Sequence, residues 1–200
     1  MRVTIFDYGA GNIHSLTKAI AAAGADVGVQ ADPVRSIDTD VLVLPGVGAF
    51  GAAAGRLTPG RERVRDALHA GLPCLGICLG MQLLFDQSDE ADDTTPGLGL
   101  IPGRVTKLTA RRVPQIGWNT IEEPRDTLLE RAPLDHVYYA NSYVCRPDDS
   151  DVVRAWSVHE TDRFPAVVRA GRTVGVQFHP EKSSVPGLRF LRAFLDEARR

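Results

Sequence analysis

Short apolar runs alternate with helical spacings through the first half of the chain. Val3 to Phe6 is β-branched and aromatic, and reads as a strand. The turn DYGAGN follows, and then Ile13, Leu16, Ala19, Ile20 and Ala23 recur at the spacing of one helix face. Gly24 stands where such a helix ends. Val27 and Val29 predict a second strand, and VLVLP, 41 to 45, one buried on both faces. Arg61 to Ala70 predicts a helix, PCLGIC another buried strand, and LGMQLLF, from residue 79, the start of the next helix.

After the midpoint the pattern changes. Pro and Gly thicken at 96 to 103 and 114 to 117, and the apolar runs become short and β-branched. Val105 to Leu108, Val137 to Tyr143, Val152 to Val158 and Val167 to Val168 predict strands, and Thr173 to Phe178 a further one. Val185 to Arg200 is an amphipathic helix carrying Leu188, Leu191, Phe194 and Leu195. No linker, repeat or low-complexity segment interrupts the chain. The expectation is a single α/β domain over residues 1–200, with a mostly parallel mixed sheet flanked by helices and antiparallel strands added in the second half.

Composition narrows the function classes. The chain has 200 residues, 44% hydrophobic and 24% charged, with a formal net charge of -2. That balance fits a soluble globular protein and supplies no field to attract nucleic acid or an anionic membrane. The apolar runs fall far below the roughly 20 residues needed to cross a bilayer. Three cysteines are too few for a disulfide framework. With a strand in place of a signal segment at the N-terminus, they point to a cytoplasmic protein.

Candidate chemistry begins at GLPCLGICLGMQLLF, residues 71 to 85. Cys78 is framed as Gly76-x-Cys-x-Gly80, the nucleophile-elbow pattern with a thiol in place of a hydroxyl. The glycines let the backbone turn sharply from strand to helix, and the helix start favours thiolate over thiol. The Leu79 N–H is placed to donate to an oxyanion. The plainer alternative is a buried cysteine at a Gly-rich strand end. Cys74 lacks the frame and reads as packing, as does Cys145. Gln82, four residues after Cys78, shares its helix face.

A thiol nucleophile needs a base, and the base an orienting group. His14 and His69 lie in predicted helices, and His136 and His159 lack a suitable partner. His179 ends an apolar strand in GVQFHPE. In extended backbone residues i and i+2 point to one side, so Glu181 can hold its ring, and Pro180 stiffens the pair. Without a nucleophile these two would read as a strand-ending histidine and a solvated glutamate. DYGAGN is not a dinucleotide fingerprint, because position 14 is His where a third glycine is required. No cysteine or histidine spacing suits a metal site, so no cofactor is expected.

PCLGICLGMQLLF and GVQFHPEKS together resemble the signature segments of class I, triad-type glutamine amidotransferases. PGVGAFG, 45 to 51, stands where that family places its oxyanion loop. That loop, with FDYGAGN, PGLGLIPGRV (96 to 105), IGWN (116 to 119) and HPEKS (179 to 183), is similar to the glutaminase subunits of imidazole glycerol phosphate synthases. The resemblance covers essentially the whole chain. It implies that Cys78 attacks the side-chain amide of glutamine, His179 moves the protons and Glu181 orients His179. It also implies that backbone N–H groups of Leu79 and of Val47 or Gly48 hold the oxyanion. Gln82 and the backbone around Ser142 and Tyr143 would bind the substrate.

The implied partner is a (β/α)8-barrel cyclase on a separate chain, forming a heterodimer that uses the ammonia for histidine biosynthesis. Asn12, Trp118 and Lys182 match positions that face it. Each has a plainer alternative: a helix cap for Asn12, a core residue for Trp118, a solvated charge for Lys182. Two departures stand out, Asn141 where His-Ser-Tyr is expected and Ile116 where a Met is familiar. Alternatives are a glutaminase of the anthranilate or aminodeoxychorismate synthase type, and a non-catalytic interaction protein on the same fold. The valine between Gly46 and Gly48 leads to the expectation that the isolated chain has low activity until its partner binds.

Overall fold

In the computed structural model, which describes residues 1–9, 13–90 and 95–200, the first half runs β1 (Arg2–Phe6), α1 (Ile13–Ala22), β2 (Asp26–Gln30), α2 (Pro33–Ser36), β3 (Val41–Leu44), α3 (Phe50–Leu57), α4 (Arg61–His69), β4 (Cys74–Ile77) and α5 (Leu79–Gln82). The second half continues β5 (Phe85–Ser88), β6 (Ile101–Lys107), β7 (Gln115–Thr120), α6 (Thr127–Arg131), β8 (His136–Asn141), β9 (Tyr143–Pro147), β10 (Val153–His159), β11 (Asp162–Ala170), β12 (Thr173–Val176) and α7 (Ser184–Ala198).

The main sheet has the order β10-β11-β12-β4-β3-β1-β2. Strands β2, β1, β3, β4 and β12 pair in parallel, and β11 and β10 add antiparallel. Sequence dictates this order physically. β3, β4 and β12 are buried along their whole length and take the interior, whereas β2, with no buried residue, takes an edge. Two smaller sheets, β5-β6-β9 and the β7-β8 hairpin, complete the mixed architecture.

Helices cover both faces. On one side, α1 and α7 pack over a chain of edge-to-face rings linking Phe164, Tyr139, Phe178 and Phe190 at 5.7 to 6.2 Å. On the other, Phe50, Ala53, Ala54 and Leu57 of α3 and Val64 and Leu68 of α4 meet Leu42, Leu44, Met81 and Leu84. The C-terminal helix is tied down by Arg169, which donates to both carboxylate oxygens of Asp126 (2.7 and 2.9 Å) and to Glu197 at 2.7 Å. Among the described residues, no helix is long and apolar enough to cross a membrane.

Several elements differ from the sequence reading. LGMQLLF is not the start of a longer helix, because α5 makes one turn and Phe85 already opens β5. The carbonyl of Leu83 accepts from Leu98 N, and that of Leu84 from Leu100 N and Ile101 N, so a neighbouring segment takes the bonds that would have continued the helix. The continuous apolar run hides this, since the residues are buried in either conformation. The predicted strand Val137 to Tyr143 is broken at Ser142, with β8 pairing to β7 and β9 to β6. The structure also adds α2, β7 and α6, and α3, whose glycines dilute a helical spacing that Phe50, Ala53, Ala54 and Leu57 do carry.

Candidate active site

The turn between β4 and α5 forces Cys78 into an unusual backbone conformation, φ 47° and ψ −104°. Non-glycine residues seldom adopt positive φ, and here neighbours on both sides fix it. Cys78 N donates to Val176 O at 2.7 Å, and Gln82 N donates back to Cys78 O at 3.1 Å. The flanking glycines are required by contact. A Cβ on Gly76 would lie 2.7 Å from Gly80 O, and one on Gly80 only 2.0 Å from Leu44 O. The side chain of Cys78 is thereby aimed into a cavity of about 230 Å³.

That cavity is walled by three further segments. Gly46, Val47 and Gly48 of the loop after β3 form one side, and the corner Ala140 to Tyr143 between β8 and β9 forms another. Leu79 and Gln82 come from α5, and Glu90 from the stretch after β5. Gly48 has φ +132°, a conformation favouring glycine, and Gly46 cannot carry a side chain because a Cβ would stand 2.9 Å from His179 Cε1. The hydroxyl of Tyr8 donates to Pro45 O and pins the start of this loop. Gln82 Nε2 donates to Tyr143 O at 3.1 Å, joining α5 to the corner. Asn141 is buried with its Nδ2 on Tyr143 O at 3.1 Å, so the residue standing for the expected histidine braces the same corner.

His179 is fully buried beside this cavity. Its Nδ1 meets Glu181 Oε1 at 2.8 Å. The pairing expected from sequence is present, although not through extended backbone, because Pro180–Lys182 form a 3₁₀ turn that swings the carboxylate back to the ring. A Cβ on Gly187 would lie 2.0 Å from Pro180 O, so α7 packs directly on this turn. The main chain of His179 is held from both sides. Its N–H donates to Tyr138 O at 2.8 Å, and its carbonyl accepts from Ser183 Oγ at 2.7 Å.

Among the described residues the second ring nitrogen, Nε2, is buried without a hydrogen bond of normal geometry, yet the Cys78 sulfur is close enough to act on the ring. Burial alone would depress the imidazole, but interaction with the Cys78 sulfur and with Glu181 outweighs it and lifts the ring to about 9. A raised value means that the protonated ring is favoured, and persists until the pH passes about 9. Cys74, by contrast, is pushed well up by burial alone, which leaves it an inert packing thiol.

The structure therefore brings Val47, Gly48, Cys78, Leu79, Gln82, Ser142 and Tyr143 to one cavity, with His179 and Glu181 beside it. Trp118 and Lys182 lie elsewhere, on the β7-β8 hairpin and the 3₁₀ turn. Trp118 is 54% exposed, which removes the core reading for it. Its ring stands edge-on to Tyr138 at 6.2 Å, and Lys182 Nζ lies 5.8 Å from the same Tyr138 ring. Asn12 lies outside the described residues.

Sequence reasoning missed Glu90, whose carboxylate lines the cavity and accepts from Phe50 N at 2.6 Å. It also missed Gln177, whose amide touches the sulfur. A polar residue inside the apolar strand end GVQFH was the available signal for Gln177, and Glu90 had none. A larger cavity of about 830 Å³ beside Arg111 and Arg112 shares no residue with this one. Its carboxylate, Glu160, is already occupied by the N–H groups of those two residues at 2.7 and 3.2 Å.

Residues 4–198 match the family model for glutamine amidotransferase class-I. A Halobacterium salinarum protein named imidazole glycerol phosphate synthase subunit HisH is 45% identical, over 97% of this chain and 92% of the relative. A Leifsonia xyli protein of the same name is 42% identical over 94% and 95%. Among solved structures, one described as a glutamine amidotransferase superposes with a TM-score of 0.78 at 20% identity, covering 99% of both chains. PurLQS from Thermotoga maritima gives 0.75 at 17%, covering 98% of both. These two bear on fold alone.

Proposed function

The chain belongs to the class I glutamine amidotransferases, and from that premise we propose that it is the glutaminase subunit of an imidazole glycerol phosphate synthase, its 200 residues acting as one amidotransferase domain. The observation that carries the catalytic part is a strained Cys78 that shares one small cavity with the Gly46–Gly48 loop and Leu79, beside a buried His179–Glu181 pair.

The chemistry runs in two halves. The Cys78 thiolate adds to the side-chain amide carbon of glutamine, and the oxyanion is held by the N–H of Leu79 and by that of Val47 or Gly48. Leu79 opens α5, where backbone N–H groups have no intrahelical partner. The His179 imidazolium gives its proton to the departing nitrogen, ammonia leaves, and a glutamyl thioester remains. The neutral ring then takes a proton from water, the hydroxide adds to the thioester, and the thiolate departs to release glutamate. Glu181 keeps the ring in the tautomer that needs Nε2 for this traffic. The carboxylate of Glu90 and the backbone of Ser142 and Tyr143 suit the ammonium and carboxylate of the substrate's amino-acid end, with Gln82 between them.

The ammonia goes to a (β/α)8-barrel cyclase subunit that makes imidazole glycerol phosphate and an aminoimidazole carboxamide ribonucleotide, in a cytoplasmic heterodimer. Three free, buried cysteines suit a reducing compartment. The docking face is the β7-β8 hairpin, where Ile116 and Trp118 are 68% and 54% exposed beside Tyr138 and Lys182. It adjoins the site, because Tyr138 O holds the His179 N–H. The retained Cys78 and His179–Glu181 pair favour a catalytic subunit over a non-catalytic fold relative. Glutamate release from glutamine, measured with the chain alone and with a cyclase subunit plus its nucleotide, tests the reading. Slow release alone and strong stimulation in the mixture are expected, and equal rates would remove the partner assignment.

A pH profile follows from the site. The imidazolium that protonates the departing amide nitrogen is retained up to about 9, so kcat/KM in the complex is expected to hold through neutral pH and fall above about 9. Glu181→Gln removes an interaction that raises the ring, so its alkaline limb should move to lower pH. A limb that stays in place would show that Glu181 does not set the protonation of His179.

A further inference from the structure

A helix start is often credited with stabilising a thiolate, but α5 is a single turn and offers little dipole. The groups around the sulfur therefore matter individually. Ala140 O, 4.0 Å from Sγ, is an acceptor and favours the thiol form. Tyr8 and Cys145 face it as buried neutral groups, and the Glu90 carboxylate shares the cavity. On the favourable side stand His179, backed by Glu181, and one amide. Gln177, fully buried just past β12, donates from Nε2 to Cys78 Sγ at 3.4 Å.

The other end of that amide is also engaged. Gln177 Oε1 accepts from Gln82 Nε2 at 3.5 Å, and the same Nε2 reaches Tyr143 O. The main chain of Gln177 is fixed by its N–H on Ala166 O at 2.9 Å. One side chain thus links the nucleophile to the substrate-facing glutamine, and that glutamine reaches the substrate corner. A wholly buried primary amide is costly unless its groups are used, and here the partners are reactive or substrate-facing atoms.

We propose that Gln177 is a positioning residue of the glutaminase site, whose amide N–H stabilises the Cys78 thiolate on its line of attack while its carbonyl holds Gln82 against the substrate corner. The inference rests on the reading of Cys78 as nucleophile. A hydrogen bond to an ionised sulfur in a poorly hydrated site is worth roughly a tenfold change in thiolate population.

The test is the pH dependence of iodoacetamide alkylation of the full chain, with Cys78→Ala as the background for Cys74 and Cys145. Gln177→Met keeps the volume and loses both polar ends. Its alkylation limb should move up by about one pH unit, with about tenfold slower labelling at neutral pH and a raised KM for glutamine. Should Gln177→Met not fold, Gln177→Asn, which keeps the amide but falls short of the sulfur, should shift the limb in the same direction. An unmoved limb in a folded variant, even one with lost activity, overturns the proposal, since a purely structural role would not set thiolate population. Labelling of the unsubstituted chain no faster than that of Cys78→Ala would instead overturn the nucleophile reading itself, and this inference with it.

Discussion

Cys78→Ala is expected to lower kcat for glutamine hydrolysis by about 10⁴-fold or more, leaving the fold intact. Removing the nucleophile from a unit of nucleophile, base and orienter removes the covalent route, and only the oxyanion donors and substrate contacts remain to act. The structural cost is small. Alanine keeps the Cβ, so the φ of 47° is no worse tolerated than in the native chain, and among the described residues the lost atom's geometric hydrogen bonds are with Gln177 Nε2 and Ala140 O. The melting temperature should stay within a few degrees. His179→Ala should cost a comparable factor, and Glu181→Ala less, because the ring remains buried and is still held through its main chain by Tyr138 and Ser183. Glutamate release by the three variants in the cyclase complex, alongside their thermal melts, checks this order. A Cys78→Ala chain that hydrolyses glutamine within tenfold of the native rate would end the covalent mechanism.

What the sequence disclosed about this site followed from the range of the interactions. The elbow is a local device: glycine on both sides of Cys78 is demanded by contacts within β4, α5 and the adjoining β3, and the pattern is written in five consecutive residues. His179 and Glu181 are two residues apart, so their pairing was legible even though the turn that makes it is not a strand. The parallel core was legible because residues buried on both faces leave unbroken apolar runs. Contacts made across the fold left weaker traces. Gln177 lies 99 positions from Cys78, and Glu90 meets Phe50 from 40 positions away. The early end of α5 is set by amides of Leu98, Leu100 and Ile101, none of which is local to it. The break at Ser142 likewise reflects pairing of β8 and β9 with different strands, which the β-branched run does not encode.

Gly80→Ala is expected to destabilise the chain by about 3 kcal/mol or more, although alanine is the better helix former by about 1 kcal/mol. The added methyl would stand 2.0 Å from Leu44 O and 2.6 Å from Leu44 C. These are backbone atoms of a central strand, and Leu44 pairs with Gly76 of β4, so neither side can yield without disturbing the sheet. Gly55→Ala is the control, because that helical glycine of α3 has no described residue within 4 Å of its would-be Cβ, and a stabilisation of about 0.5–1 kcal/mol is expected there. Chemical denaturation of both variants measures the contrast. Because α5 can move away from β3 only by carrying Leu79 and Cys78 with it, a folded Gly80→Ala chain should also lose activity out of proportion to the native fraction. A variant that is both as stable and as active as the native chain would mean that α5 does not rest on β3, and that the close backbone approach is not what places the nucleophile.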